Sequence, residues 1–255
     1  MTISELICSA ERNAAELMLE ARDIIAVSKT DARNVVTQYD KKIQDYLTEC
    51  FLAAFPDAQF CREESDDHDE LTAEHVFIID PIDGTMNFVK GFHQSCISVA
   101  YMSYGEVMFA AVYNPYYDEM FTAEKGKGAF LNRKPIHVDD CGIGSGLACV
   151  GMSPYARSSE FVDENFRYIR KIYDAAFDIR REGSAELDLC SIACGKAAFY
   201  YELELSFWDY AAGLLIVTEA GGIALTVDGK ELPKDGSKSS VIAGGRKAVD
   251  DFLKL

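Results

Sequence analysis

The stretch Val76-Phe77-Ile78-Ile79-Asp80-Pro81-Ile82-Asp83-Gly84-Thr85-Met86-Asn87-Phe88 decides how the chain is read. It opens on an apolar run containing β-branched Ile and is stopped at once by turn formers, the pattern of a short buried strand. Asp80 stands where that strand is expected to end. Pro81 has no N–H for a sheet ladder and is expected to force the chain out of the sheet. Asp83-Gly84 then predicts a turn, because Gly accepts backbone angles that other residues resist. Both carboxylates are thereby set at the mouth of a sheet, beside a glycine and a threonine whose N–H groups point outward. Carboxylates hold hard cations such as Mg²⁺, and outward N–H groups hold anions such as phosphate. Asp-Pro and Asp-Gly pairs are also ordinary turn formers, so the stretch alone leaves both a plain turn and a metal-assisted phosphate site open.

The 255 residues suffice for one large domain or two small ones in contact, and 49% of them are apolar, enough for a substantial core. Against 25 basic residues stand 42 acidic ones, a net charge of −17. Such a surface repels nucleic acid and anionic lipid, so neither direct nucleic-acid contact nor a membrane is expected. It repels a phosphorylated substrate too, unless bound divalent metal reverses the local field. The eight cysteines form no Cys-x-x-Cys pair and several sit in apolar runs, as Cys96 does in Ser95-Cys96-Ile97-Ser98-Val99. Reduced, buried thiols in a cytoplasmic protein are expected. With four scattered histidines a zinc site is not. Met1-Thr2-Ile3-Ser4-Glu5 has neither the basic nor the apolar region of a signal peptide, and no apolar run approaches membrane-spanning length.

Apolar residues from Ile3 to Ile25 keep helical spacing and predict an amphipathic helix over 3–27, capped by Thr2 or Ser4. Thr37 is expected to start a second helix that ends before Pro56, and 58–61 a short strand. Glu63 and Glu64 follow that strand and are placed to reach the sheet end that holds Asp80. The segments 96–103, 106–113, 119–123 and 128–131 read as strands joined by short turns, hence antiparallel neighbours. Cys141-Gly142-Ile143-Gly144-Ser145-Gly146 marks the expected boundary. Residues 1–143 then form two helices on a largely antiparallel sheet that carries the main motif. Residues 144–255, where strands and helices alternate, form an α/β unit with a mixed or mostly parallel sheet.

A further acidic position lies in Phe207-Trp208-Asp209-Tyr210-Ala211-Ala212-Gly213, where Asp209 is expected at a helix start and the small residues permit another backbone to approach. Arg181-Glu182-Gly183-Ser184-Ala185-Glu186 predicts another helix start with a Gly and a capping Ser. Asp80-Pro81-Ile82-Asp83-Gly84-Thr85 with Asn87-Phe88, and Trp208-Asp209-Tyr210-Ala211-Ala212-Gly213, resemble the first and second motifs of the inositol monophosphatase family. Glu63-Glu64, Gly183-Ser184-Ala185, Glu202 and Glu219-Ala220-Gly221-Gly222 fall at family-like positions, so the resemblance runs over nearly the whole chain.

This resemblance implies an α+β / α/β fold, the layered α-β-α-β-α sandwich of the inositol monophosphatase and fructose-1,6-bisphosphatase type. It implies that Glu63, Asp80, Asp83, Asp209 and the Ile82 carbonyl bind Mg²⁺, two to three ions in all, through hard oxygens. Glu63, Asp80 and Thr85 become the catalytic residues, with Glu63 and Thr85 orienting the attacking water. Gly84 and Thr85 N–H groups hold phosphate oxygens, and Asp83, Ala185, Glu202 and Asp209 meet substrate hydroxyls. Lys29 and Asp40 help to complete a weaker metal site. The implied protein is a lithium-sensitive, homodimeric inositol-phosphate phosphatase whose partner is a small phosphorylated polyol or sugar. Met86, Arg62 and Glu186 depart from the commonest pattern; the last two flank site residues and bear on substrate preference.

Three rivals share the chemistry: fructose-1,6-bisphosphatase, histidinol-phosphate phosphatase and 3′-phosphoadenosine 5′-phosphate phosphatase. A bisphosphate would need added cations, which Arg180, Arg181 and Lys196 are candidates to supply. A different class of reading is a non-catalytic interaction module, since some bacterial relatives in the family also bind transcription machinery.

Overall fold

The computed structural model describes residues 1–28, 35–65, 71–153 and 158–255. Helix α1 (Ile3–Leu19) starts at Thr2, whose side chain accepts from Glu5 N while the Glu5 carboxylate accepts from Thr2 N. The helix expected to reach residue 27 stops at Leu19. The Tyr39 hydroxyl accepts from Arg22 N and donates to Arg22 O, and Gln38 accepts from Ile25 N, so side chains of the next helix pull the chain into a turn. The chain then forms β1 (Ala26–Ser28), paired antiparallel with β2 (Val35–Thr37). Helix α2 (Gln38–Ala54) is capped by Thr37, with Asp40 completing the box, and ends before Pro56 as expected.

The main sheet takes seven strands in chain order: β3 (Gln59–Arg62), β4 (Val76–Asp83), β5 (Cys96–Ser103), β6 (Glu106–Asn114), β7 (Glu119–Glu124), β8 (Gly128–Leu131) and β9 (Lys134–Ile136). Only β3 and β4 run parallel; the others are antiparallel neighbours. Pro81 does not end β4. The strand continues to Asp83 through a bulge, with Asp80 opposite Ser98 and Asp83 opposite Cys96. One extra residue on β4 absorbs the proline, whose missing N–H costs no ladder bond there. The short helix α3 (Thr85–Lys90) follows Gly84.

A second, mixed sheet comprises β10 (Leu147–Val150), β11 (Asp178–Arg180), β12 (Phe199–Leu205), β13 (Ile223–Leu225) and β14 (Ser239–Gly244), in the order β11-β10-β12-β14-β13. Its helices are α4 (Ser159–Ala175), α5 (Ala185–Ala193), α6 (Ala211–Glu219) and α7 (Arg246–Phe252).

Strand alternation sorts the core into layers. Phe77, Ile79, Val99 and Tyr101 face α1 and α2, where Ile43, Leu47 and Phe51 meet them. Ile78, Ala100 and Met102 face the other way, onto α5 and α6, whose far sides meet Cys149, Tyr200 and Val241 of the second sheet. Phe199, Tyr201 and Ile242 turn outward to Ile172 of α4 and Phe252 of α7. The result is the five-layer α-β-α-β-α sandwich, with α5 and α6 buried between two sheets and accordingly rich in apolar residues. Among the described residues no helix is long and apolar enough to cross a membrane.

Candidate active site

The bulge at the end of β4 aims Asp80 and Asp83 at the edge of the sandwich. Asp80 Oδ1 accepts from Ile82 N at 3.0 Å. Gly84 follows at φ +82°, where a Cβ would lie 2.8 Å from the Gln94 carbonyl, so both conformation and space demand glycine. Thr85 Oγ1 lies 3.1 Å from the Ile82 carbonyl and 3.3 Å from Asp40 Oδ1. Glu63 arrives from β3: its N–H donates to Ile79 O, which continues the parallel pairing past the end of the strand.

The second half supplies the opposite wall. Ser184 Oγ and Glu186 N donate to Asp83 Oδ2 at 2.6 and 2.7 Å. Asn87 Nδ2 ties the first motif to the stretch 181–186 by donating to Glu182 O, and it donates also to Gln94 O. Glu202 on β12 accepts from Tyr200 OH at 2.8 Å, and Gly151 leaves room for its carboxylate, which a Cβ would overlap. Asp209 does not start a helix as expected. It ends a one-turn 3₁₀ segment (Phe207–Asp209), α6 begins at Ala211, and its carboxylate reaches back to Ser206 N at 2.7 Å.

Glu63, Asp80, Ile82, Asp83, Gly84, Thr85, Ala185, Glu202 and Asp209 thus line one cavity of about 210 Å³. Arg181 and Lys238 are the basic residues among those lining it, and Lys238 is paired with Glu204 at 3.2 Å. The excess of buried acid shows in the proton affinities. Burial, then repulsion from Glu63 and Asp83, holds the Asp80 and Asp209 carboxyls well above the usual carboxylate range. Burial lifts Asp83 to about 6 against the opposing bonds from Ser184 and Glu186, and lifts Glu202 to about 7. Asp40, beside Thr85, is raised to about 6, again chiefly by burial.

Mutually repelling carboxylates with little basic compensation suit a hard divalent cation, and every donor is oxygen. Among the described residues no three acidic, histidine or cysteine side chains gather closely enough to enclose an ion. A metal there would take waters and substrate phosphate oxygens for the rest of its shell.

Several sequence candidates fall elsewhere. Arg62 packs its guanidinium 5.2 Å from the Phe60 ring centre and donates to Thr48, away from the cleft. Glu186 is fully buried beneath the cleft wall, its carboxylate bonded to Ser98 Oγ and to the N–H groups of Ala212 and Gly213. Neither is placed to touch a substrate. The small residues at 211–213 admit that carboxylate and let α5 approach closely, a Cβ on Gly213 lying 2.7 Å from Leu189 Cβ. Of the three candidate cations only Arg181 lines the cleft; Arg180 and Lys196 line a second cavity and pair with Asp178 and Glu119. Lys29 lies outside the described residues.

Sequence reasoning missed Asp188, Glu204 and Lys238 in the cleft. Two spacings pointed there. Glu204 is two residues after Glu202 on a strand and shares its face. Asp188 is one helical turn after Ser184; its Oδ1 is buried and without a hydrogen-bond partner.

Residues 2–254 match the family model described as the inositol monophosphatase family. The "Putative Nus factor SuhB" of Neisseria meningitidis serogroup B is 34% identical, over 96% of this chain and 94% of its own. The "Inositol-1-monophosphatase" of Rhizobium meliloti is 35% identical, over 90% and 86%. Among solved structures, the extragenic suppressor protein suhB of Bartonella henselae superposes with a TM-score of 0.89 at 29% identity, covering 99% of this chain and 97% of that one. An IMPase/NADP phosphatase complexed with Mg²⁺ and phosphate superposes with a TM-score of 0.86 at 25% identity, covering 99% and 94%. The family match spans the two sheets, the bulged strand and the acidic turn that together build the cleft, and on that extent the chain belongs to the inositol monophosphatase family.

Proposed function

We propose that the protein is a Mg²⁺-dependent phosphomonoesterase that hydrolyses inositol monophosphate to inositol and phosphate. The observation that carries this reading is the convergence of Glu63, Asp80, Asp83 and Asp209 on one cleft beside Gly84 and Thr85. Glu63, Asp80, Asp83, Asp209 and the Ile82 carbonyl hold the Mg²⁺ ions. When bound, Mg²⁺ lowers the pKa of water and offsets the charge that spreads over the phosphate oxygens.

The chain's own groups position the reaction. Gly84 and Thr85 N–H groups receive phosphate oxygens. The Thr85 hydroxyl, anchored by Ile82 O and Asp40, works with Glu63 to aim a water at phosphorus, in line with the leaving oxygen. The water oxygen bonds to phosphorus as the ester P–O bond breaks; one proton of that water stays on the released phosphate and the other ends on the departing alkoxide, which becomes an inositol hydroxyl. No covalent phospho-enzyme is required. Glu202 accepts substrate hydroxyls and the Ala185 backbone meets them, while Asp83 and Asp209 flank the leaving oxygen.

Phosphate release from inositol 1-phosphate, fructose 1,6-bisphosphate, histidinol phosphate and 3′-phosphoadenosine 5′-phosphate at saturating Mg²⁺ tests the reading. Turnover is expected to be highest on inositol 1-phosphate and to be inhibited by Li⁺ at millimolar or lower concentration. A clear preference for another of the four moves the substrate assignment. No Mg²⁺-dependent turnover on any sugar or polyol phosphate sinks the enzyme reading and favours an interaction role, to which the Nus-factor name of the Neisseria relative points.

A homodimer is part of the proposal. Phe92 is 70% exposed next to the stacked His93 and Tyr116 rings, apolar surface of the kind a partner covers. Light scattering at micromolar concentration measures it. All eight cysteines are free, which supports the cytoplasm as the compartment.

A further inference from the structure

We propose that Glu186 is a positioning residue that holds the segments bearing Asp80, Asp83 and Asp209 in register. The proposal rests on the reading of the cleft as a metal-assisted phosphate site, but its geometry is independent of the substrate. Glu186 is fully buried and does not line the cleft. Its backbone N–H donates to Asp83 Oδ2 at 2.7 Å. Its carboxylate makes the other connections. Oε1 accepts from Ser98 Oγ at 3.1 Å and from Ala212 N at 3.3 Å, and Oε2 accepts from Gly213 N at 2.6 Å.

Each partner lies in or directly beside a segment that carries one of the acids. Ser98 stands directly opposite Asp80 in the β4–β5 pairing. Ala212 and Gly213 open α6, immediately after the 3₁₀ turn that ends at Asp209. Asp83 is bound through the Glu186 main chain. One residue therefore touches the strand facing Asp80, the Asp83 carboxylate itself and the helix start behind Asp209. Hydrogen bonds in a dry interior are stronger than the same bonds in water. The first N–H groups of α6 have no intrahelical acceptors, so a carboxylate satisfies them as a cap would. The packing is built around this contact: a Cβ on Gly213 would lie 2.6 Å from Oε2 and 2.7 Å from Leu189 Cβ.

A cap alone would stabilise α6. A clamp that reaches β5 beside Asp80, Asp83 itself and the start of α6 behind Asp209 sets the spacing of the metal donors, and small errors in that spacing weaken metal binding and the chemical step together. Metal binding and kcat are therefore expected to respond more than KM.

The test uses full-length Glu186→Ala and Glu186→Gln, with three readouts: calorimetric Mg²⁺ titration without substrate, kcat and KM on the best substrate, and amide exchange at Ala212 and Gly213. Glu186→Ala is expected to weaken Mg²⁺ binding and lower kcat by about tenfold each, with a smaller change in KM and faster exchange at both amides. Glu186→Gln is expected to recover part of the loss, because its carbonyl oxygen accepts from Gly213 N and its NH₂ donates to Ser98 Oγ, while Ala212 N loses its acceptor. Wild-type Mg²⁺ affinity and kcat in Glu186→Ala overturn the clamp. So does a change confined to KM, or an equal loss in both variants. If the wild-type protein shows no turnover and no Mg²⁺ binding, the functional reading fails. Exchange then decides the clamp: unchanged protection of Ala212 and Gly213 in Glu186→Ala overturns it, and accelerated exchange supports it.

Discussion

Ser184 Oγ donates to Asp83 Oδ2 at 2.6 Å, joining residues 101 apart in sequence. The same hydroxyl accepts from Leu187 N at 3.3 Å, so one side chain caps α5 and fixes an acid of the first motif. Ser184→Ala leaves Asp83 Oδ2 with Glu186 N as its main donor and makes its ionised form less favourable. Mg²⁺ affinity is expected to fall about 10–100-fold, and loss of the cap to cost about 1 kcal/mol of stability. Metal titration and urea unfolding read the two effects separately.

Asp83→Asn keeps the shape and removes a charge. Its side-chain oxygen can still accept from Ser184 and Glu186, so the fold is retained. Turnover is expected to drop by at least about a hundredfold, with the loss of a metal donor. Without Mg²⁺ the variant is expected to melt no lower than the wild type, because one of several repelling buried carboxylates is gone. Near-normal activity would remove Asp83 from the metal site.

The cleft predicts an inverted response to pH. Asp40 and Asp83 are raised to about 6 and Glu202 to about 7, each chiefly by burial. A carboxyl whose folded pKa exceeds its unfolded value of about 4 contributes stability that is fully present below that value and is lost as pH rises through the folded pKa. In EDTA the melting temperature is expected to fall between about pH 4 and pH 7. Saturating Mg²⁺ binds the ionised carboxylates of the native state and is expected to reduce or reverse that fall. Thermal melts across this range, with and without Mg²⁺, check the sign.

Glu11 carries the same logic to a place with no part in the reaction. It is fully buried on α1, and neither carboxylate oxygen has a hydrogen-bond partner. Burial, then repulsion from Glu186, holds its pKa well above the usual range, so its contribution too is lost as pH rises. Glu11→Leu is expected to stabilise the protein by about 1–3 kcal/mol at alkaline pH, the cost of an unsatisfied buried polar group, and by less in acid. A gain that does not depend on pH would show that Glu11 does not titrate in this range.

The strands and helices follow from local patterns. The apolar run 76–79 marked β4, the Val, Ile and Tyr content of 96–103 marked β5, and Thr37 marked the start of α2. The two motifs likewise named, without any structure, the acids that line the cleft. These features depend on spacing along the chain, which a sequence displays directly. Contacts between distant segments decided the rest. The Tyr39 hydroxyl holding Arg22 ended α1 early, and the bulge opposite Ser98 kept Pro81 inside a strand. The same kind of contact moved Glu186 and Arg62 out of the cleft and brought in Asp188, Glu204 and Lys238. The sequence by itself determined which residue types and which local elements were available to build a phosphate site. Only the tertiary structure decided which carboxylates face each other there, because burial and repulsion depend on distances through space that spacing along the chain does not contain.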